Sequence, residues 1–463
     1  MRSRFLSVIS CLILTSAGVA SAEAASLAQQ RQYYDEAKRA LAKGDSGPYR
    51  TYQTALRDYP LTPYLTYDDL TSRLKSASNA EIEKFLAEHG DLPQASWMKL
   101  RWLRMLAERG DWKPFLAHYD PAMNFTELDC LYGQYQMTHG QVAEGNATAE
   151  KLWLVGKSQP NACDPLFERW TANGQLTESR RWQRTKLAVE AGNYGLANYL
   201  VKSLSTLGTH GKLLLEVAQK PQTLKQTARF APADEAMGDV VGLGLRRLAR
   251  QSPEDALPLL DSYAQRMKFS DQEKVAIARQ IGLTLAKRFD MRGLQVMAKY
   301  DPELRDNSVS EWRARLLLRN ARWDEAYQLT QRMPAELASS NRWRYWNARS
   351  LQLAQPNSQQ PAVLFQALAK ERDFYGFMAA DQVKAPYQLN NQPLHIDPKV
   401  IQKVRNTAGI RRAMEFHALG QIVDGRREWY HVSRLFSRDE LVAQARLAYD
   451  MEWYFPAIRT ISQ

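Results

Sequence analysis

The chain has 463 residues, 44% hydrophobic and 24% charged, with 62 Lys and Arg against 50 Asp and Glu for a net charge of +12. That much apolar material excludes a disordered chain, and three cysteines exclude a disulfide-dense miniprotein. The seven histidines form no HxH or HExxH pair, so a helical zinc site is not expected.

The chain opens with Arg2 and Arg4, an apolar run from Phe5 to Leu14, and Ala20-Ser21-Ala22. This is the order of a secretory signal peptide over residues 1–22, cleaved before Glu23. Ser7, Ser10, Thr15 and Ser16 interrupt the run, which falls short of the roughly 20 residues of a membrane span. Val8-Ile-Ser-Cys11 matches a bacterial lipoprotein box loosely, with few apolar residues before it. Processing would leave an exported chain of about 441 residues at a charge of about +10. In an oxidising compartment Cys130 and Cys163, 33 positions apart, predict a disulfide. The alternative is two independent buried thiols.

Beyond the signal, apolar residues recur at spacings of three and four, as in Ala80-Glu-Ile-Glu-Lys-Phe-Leu-Ala87 and Glu325-Ala-Tyr-Gln-Leu-Thr-Gln-Arg332. No series of alternating strands joined by Asn-Gly or Asp-Gly turns appears, which argues against a sheet protein. Three stretches share one shape: Gly110-Asp-Trp112-Lys-Pro-Phe115, Gly192-Asn-Tyr194-Gly-Leu-Ala197 and Ala321-Arg-Trp323-Asp-Glu-Ala326. A small residue ends one helix, an aromatic follows two positions later to wedge between hairpins, and a small or apolar residue lies three beyond. The repeat predicts an all-α fold, an irregular α-solenoid, rather than a set of compact bundles. Prolines at 386, 393 and 398 punctuate a connection over 384–399, after which further helices form a smaller unit. The predicted organisation is a solenoid over 23–385 and a helical domain over 386–463.

Motifs for common chemistry are absent. Gly242-Leu-Gly244 lacks the third glycine of a dinucleotide loop, and neither a phosphate loop nor a nucleophile elbow occurs, so no cofactor is expected. Glu178-Ser179 reads as a solvated helix surface. The aromatic clusters Trp343/Tyr345/Trp346, Trp429/Tyr430 and Trp453/Tyr454/Phe455 fall at helical spacing and predict packing rather than sugar stacking.

Four stretches resemble the soluble lytic murein transglycosylases of Gram-negative bacteria: Tyr59-Pro-Leu-Thr-Pro63, Cys130 with Cys163-Asp-Pro-Leu-Phe-Glu-Arg-Trp170, Arg344-Tyr-Trp-Asn-Ala-Arg349 and Asp373-Phe-Tyr-Gly-Phe-Met-Ala-Ala-Asp381. The resemblance covers about residues 27–463. It implies a periplasmic protein with a U-shaped superhelix of helical hairpins, a small helical linker domain, and a lysozyme-like catalytic domain beyond the linker. Such enzymes cleave the β-1,4 bond between N-acetylmuramic acid and N-acetylglucosamine, giving 1,6-anhydro products through a single carboxylic acid. The family's Glu-Ser-x-Phe and Gly-Leu-Met-Gln motifs do not occur in these 463 residues, so no catalytic residue is assigned and no metal is expected. The catalytic domain is read as missing from the chain.

Two readings follow: the scaffold portion of a lytic transglycosylase, or a non-catalytic periplasmic solenoid that binds peptidoglycan or cell-wall synthesis proteins. Export and the lack of a recognition motif argue against nucleic acid. Peptidoglycan stem peptides carry carboxylates, and Arg180, Arg181, Arg184, Arg246, Arg247, Arg411 and Arg412 are the candidates to attract them. The alternative is that these arginines form ordinary solvated faces beside residues such as Glu178 and Glu415.

Overall fold

The computed structural model describes residues 25–231, 233–391, 393 and 396–462. The signal-peptide reading, Cys11 and His395 lie outside them. The structure is 72% helical, with no strand among the described residues. None of the described helices is long and apolar enough to cross a membrane. The chain packs as two units: residues up to Leu128 together with those after Pro393, and the intervening Asp129–Pro393.

The three-fold sequence pattern has one backbone explanation. Gly110, Gly192 and Ala321 all adopt left-handed conformation, with φ of +71°, +75° and +55°. The next residue's N–H then reaches back to the carbonyl five positions earlier: Asp111 to Leu106 at 2.9 Å, Asn193 to Ala188 at 2.8 Å, and Arg322 to Leu317 at 3.0 Å. That bond closes a Schellman turn and satisfies the orphan carbonyls of the ending helix. The following helices begin at Trp112, Tyr194 and Trp323. Phe115, Ala197 and Ala326 are then fully buried. The aromatics themselves are only half-buried, so they are not the expected wedge, and the buried position three residues further on is filled mostly by small residues that let helices approach closely. Gly140 and Gly420 repeat the turn with φ of +84° and +71°, and Gly145 and Gly425 occupy the buried position.

Within Asp129–Pro393, apolar clusters succeed one another along the chain. One runs from Cys130 to Val296, another joins Leu283 to Leu316, a third Leu304 to Trp343, and a fourth Tyr345 to Ala380. Cores that hand over from hairpin to hairpin are the mark of a solenoid, where each repeat buries its apolar stripe against its neighbours. Cys130 and Cys163 are both buried and bonded, with Cα atoms 4.9 Å apart. Gly242 and Gly244 lie mid-helix in Glu235–Gln251, where a Cβ would collide with Glu273 and crowd Leu224 respectively.

The Asp373–Asp381 stretch is a helix start fitted to its neighbour. Asp373 accepts from the Gly376 N–H at 2.7 Å, capping the helix Phe374–Val383. A Cβ on Gly376 would overlap the Glu371 carbonyl, so no larger residue fits there. Asn341 donates to Asp373 at 2.7 Å and Arg344 pairs with Glu371 at 3.2 Å, which brings two of the motif stretches together. Residues 384–391 then run on without helix, and the chain resumes helix at Pro398–Asn406.

Candidate functional site

The other unit is discontinuous in sequence. Helices Leu27–Leu41 and Thr62–Ser72 pack with helices Ala408–Ala418 and Ile422–Ser433 through a buried polar cluster. Tyr59, from the first motif stretch, donates to Glu415 at 2.8 Å. Arg31 grips the same carboxylate with its Nε at 2.7 Å and a second nitrogen at 3.0 Å. Tyr64 donates to Glu428 at 2.7 Å, and Arg412 holds Glu428 at 2.6 Å and Asp91 at 2.7 Å.

Glu428 has no exposed side-chain surface and Arg412 only 4%. Taking such a pair out of water is costly, and only multiple charge-assisted bonds offset the loss. Burial pushes the Glu428 carboxyl up, against the bonds from Arg412 and Tyr64. Burial also opposes ionisation of Glu415, but the Arg31 and Tyr59 bonds outweigh it and hold that carboxyl below its ordinary value. Burial pushes both phenols well above their usual range, with their acceptor carboxylates adding to the shift. Tyr59 and Tyr64 therefore stay protonated donors. Around the cluster, Trp429 and Trp453 are buried and their rings lie 5.3 Å apart. Tyr454 and Phe455 are more than half exposed, so the third aromatic cluster is only partly core.

The seven candidate arginines do not share one environment. Arg184 is buried, its guanidinium 4.0 Å above the Trp153 ring, and burial pulls it down to about 10. Arg412 is buried in the junction just described. These two form no part of an exposed basic face. Arg180 pairs with Glu150 at 2.8 Å, and Arg246 pairs with Glu190 at 2.9 Å and with Glu273. Arg247 donates to Tyr194 at 2.9 Å and to the Val189 carbonyl at 2.8 Å. Arg181 is partly exposed and Arg411 exposed, and neither has an acidic partner among the described residues.

The expected neighbours also differ. Glu178 accepts from Ser205 and from the Leu207 N–H at 2.7 Å, and the Ser205 bond lowers its carboxyl first among several. It anchors a turn instead of facing solvent freely. Glu415 serves Arg31 and Tyr59, not the adjacent arginines. The residues missed from the sequence are Arg31, Tyr64, Asp91 and Glu428. Arg31, Tyr64 and Glu428 stand on helices and Asp91 in an exposed turn, and none carried a local signal, because their partners lie up to 384 positions away.

No group of three or more potential metal ligands occurs among the described residues. The geometry is that of an all-helical repeat protein whose early and late helices are tied by buried ion pairs. A sequence model of the soluble lytic murein transglycosylase L domain matches residues 403–463, which contain Arg412, Glu415 and Glu428. The chain superposes on an inactive variant of lytic transglycosylase Slt from Pseudomonas aeruginosa with a TM-score of 0.90 and 66% identity, covering 94% of this chain and 70% of that one. The 70-kDa soluble lytic transglycosylase of Escherichia coli gives a TM-score of 0.74 at 27% identity over the same shares. A complex of the 70-kDa soluble lytic transglycosylase with bulgecin A gives 0.73 at 26%. The curated soluble lytic murein transglycosylase of Escherichia coli is 29% identical over 456 residues, 97% of this chain and 69% of its own length. A Cucumovirus coat protein model also matches residues 124–223. That stretch is built of short helices and their connections and lies inside the longer transglycosylase alignment, which covers 97% of the chain. The chain belongs to the soluble lytic murein transglycosylase family.

Proposed function

We propose that this chain is the murein-engaging scaffold portion of a periplasmic lytic transglycosylase. The family cleaves the β-1,4 bond between N-acetylmuramic acid and N-acetylglucosamine to 1,6-anhydro products, and the substrate of this chain is accordingly peptidoglycan. The observation that carries the reading is the 66% identity to lytic transglycosylase Slt over 94% of the chain. In this reading residues 1–22 direct export, 23–385 form the superhelical domain and 386–463 the linker domain. Arg412 and Glu428 then anchor the linker helices on the earliest hairpins.

The scaffold role separates holding from cutting. The family reaction needs one carboxylic acid that first protonates the leaving oxygen and then activates the sugar's own 6-hydroxyl. No residue of this chain is assigned that task. Its helices supply instead a rigid surface against which glycan strands are presented, since preorganised geometry lowers the entropic cost of engagement.

Purified protein should co-sediment with isolated sacculi and release no 1,6-anhydromuropeptides by mass spectrometry. Failure to bind sacculi under any salt condition would overturn the scaffold reading. Anhydro products surviving a contaminant control would overturn the assignment of no catalytic residue.

A further inference from the structure

Two clefts flank Arg411 in the discontinuous unit. One of about 370 Å³ lies between the Arg57–Pro63 segment and the start of helix Ala408–Ala418. The other, of about 450 Å³, lies on the far side of Arg411, toward Arg405 and Met451. Both are lined by Pro60 and Arg411, so they form two halves of one groove.

The charges along this groove are unevenly committed. Two of its carboxylates are already taken: buried Glu415 by Arg31 and Tyr59, and the more exposed Asp91 by Arg412. Glu88 faces Lys84 at 4.0 Å. Arg57, Arg405 and Arg411 are exposed and, among the described residues, have no acidic group within ion-pair reach. Asp58 is the one uncommitted carboxylate in the lining, and burial, acting first, pushes the His89 imidazole below its ordinary value. The groove therefore presents three free guanidinium forks against one free carboxylate. Apolar Pro60, Met414 and Met451 line the Arg405 cleft beside the polar Asn406 and His417.

We propose that this groove binds the carboxylates of murein stem peptides, with Arg405 and Arg411 as the principal grips and Arg57 as an outer one. The proposal rests on the scaffold reading above and names the chemical group that the scaffold holds. Each guanidinium offers paired, planar donors that match a carboxylate. Like charges around a concavity focus the potential and raise the local concentration of an anionic polymer. The methionines are flexible and polarisable, so they accept the aliphatic part of a peptide without demanding one sequence. Arg411 was legible in the sequence as one of an arginine pair; Arg57 and Arg405 were not, and the fold brings them to it.

The test uses the full chain and fluorescently labelled disaccharide-peptide fragments of murein, with free stem carboxylates in one arm and amidated carboxylates in the other. Binding is read by anisotropy. The free-acid fragment should bind at least about tenfold more tightly than the amidated one, and its affinity should fall as salt rises past the point where the screening length is about 8 Å. Arg405→Ala with Arg411→Ala should remove that preference, whereas Arg372→Ala, which deletes an exposed charge elsewhere, should leave it intact. Arg405→Lys with Arg411→Lys should keep the salt dependence and recover only part of the affinity, because the fork is lost. Unchanged melting curves by circular dichroism qualify each variant, and all three positions are exposed. Equal binding of acid and amide, or unchanged binding by the double variant, would overturn the groove while sacculus co-sedimentation by wild type kept the scaffold reading. If wild type bound neither fragments nor sacculi, both would fall.

Discussion

The hydroxyl of Tyr59 donates to the carboxylate of Glu415 at 2.8 Å, across 356 positions of sequence. Both residues are buried, and Arg31 completes the carboxylate's coordination from the earliest described helix. Loss of the phenol leaves the Arg31 fork in place but strips one charge-assisted bond from a dry site. Tyr59→Phe should therefore destabilise the protein by about 2 kcal/mol. Urea denaturation of wild type and variant checks this, and a change below about 0.5 kcal/mol would mean that water replaces the phenol.

Arg412 and Glu428 make a sharper case. Removing only the cation leaves Glu428, with no exposed side-chain surface, to face Asp91 and Tyr64 without compensation. Arg412→Ala should cost about 3–5 kcal/mol, while Arg412→Met combined with Glu428→Leu should recover most of that loss. Equilibrium unfolding of the single and double variants separates desolvation from net attraction. Equal destabilisation by both would show that shape, not charge compensation, dominates the junction.

Ala321 occupies the left-handed position that glycine holds at Gly110 and Gly192. A Cβ there costs energy that glycine avoids, whereas no neighbouring atom lies within 4 Å of a Cβ added at Gly110 or Gly192. Ala321→Gly should stabilise the protein by about 0.5–1 kcal/mol, and Gly192→Ala should destabilise it by about 1 kcal/mol. Thermal melts of the two variants should move in opposite directions.

Glu81 and Glu440 close capping boxes and pair with Arg73 and Lys403. Their basic partners, acting first, and the cap bonds hold both carboxyls down to about 2, from an ordinary 4.5. A depressed folded value means stability present above about 4.5 and lost as pH falls toward 2. Glu415 acts in the same direction, while buried Glu428, pushed up, opposes it. The melting temperature should therefore fall between about pH 4.5 and pH 2, and Glu440→Gln, which keeps an acceptor but not the charge, should reduce that fall. A wild-type melting temperature flat across this window would count against the assigned pairings.

The sequence by itself determined what depends on neighbours within a few residues. Helical spacing, the small-residue turns at Gly110, Gly192 and Ala321, the two-cysteine bridge and the core role of Trp343, Tyr345 and Trp429 are all local or pairwise signals. They followed because helix periodicity and left-handed turn chemistry are written into consecutive positions. Only the tertiary structure decided which charges are spent. Arg180, Arg246 and Arg412 look like Arg411 along the chain, yet their partners stand 30, 27 to 56, and 16 to 321 positions away. An arginine's partner is set by which helix is packed beside it, and that is a property of the stacked hairpins, not of the stretch in which the arginine lies. The same packing gathers Arg57, Arg405 and Arg411 around one groove while burying Arg184 on Trp153, a sorting that burial and desolvation impose after the helices have met.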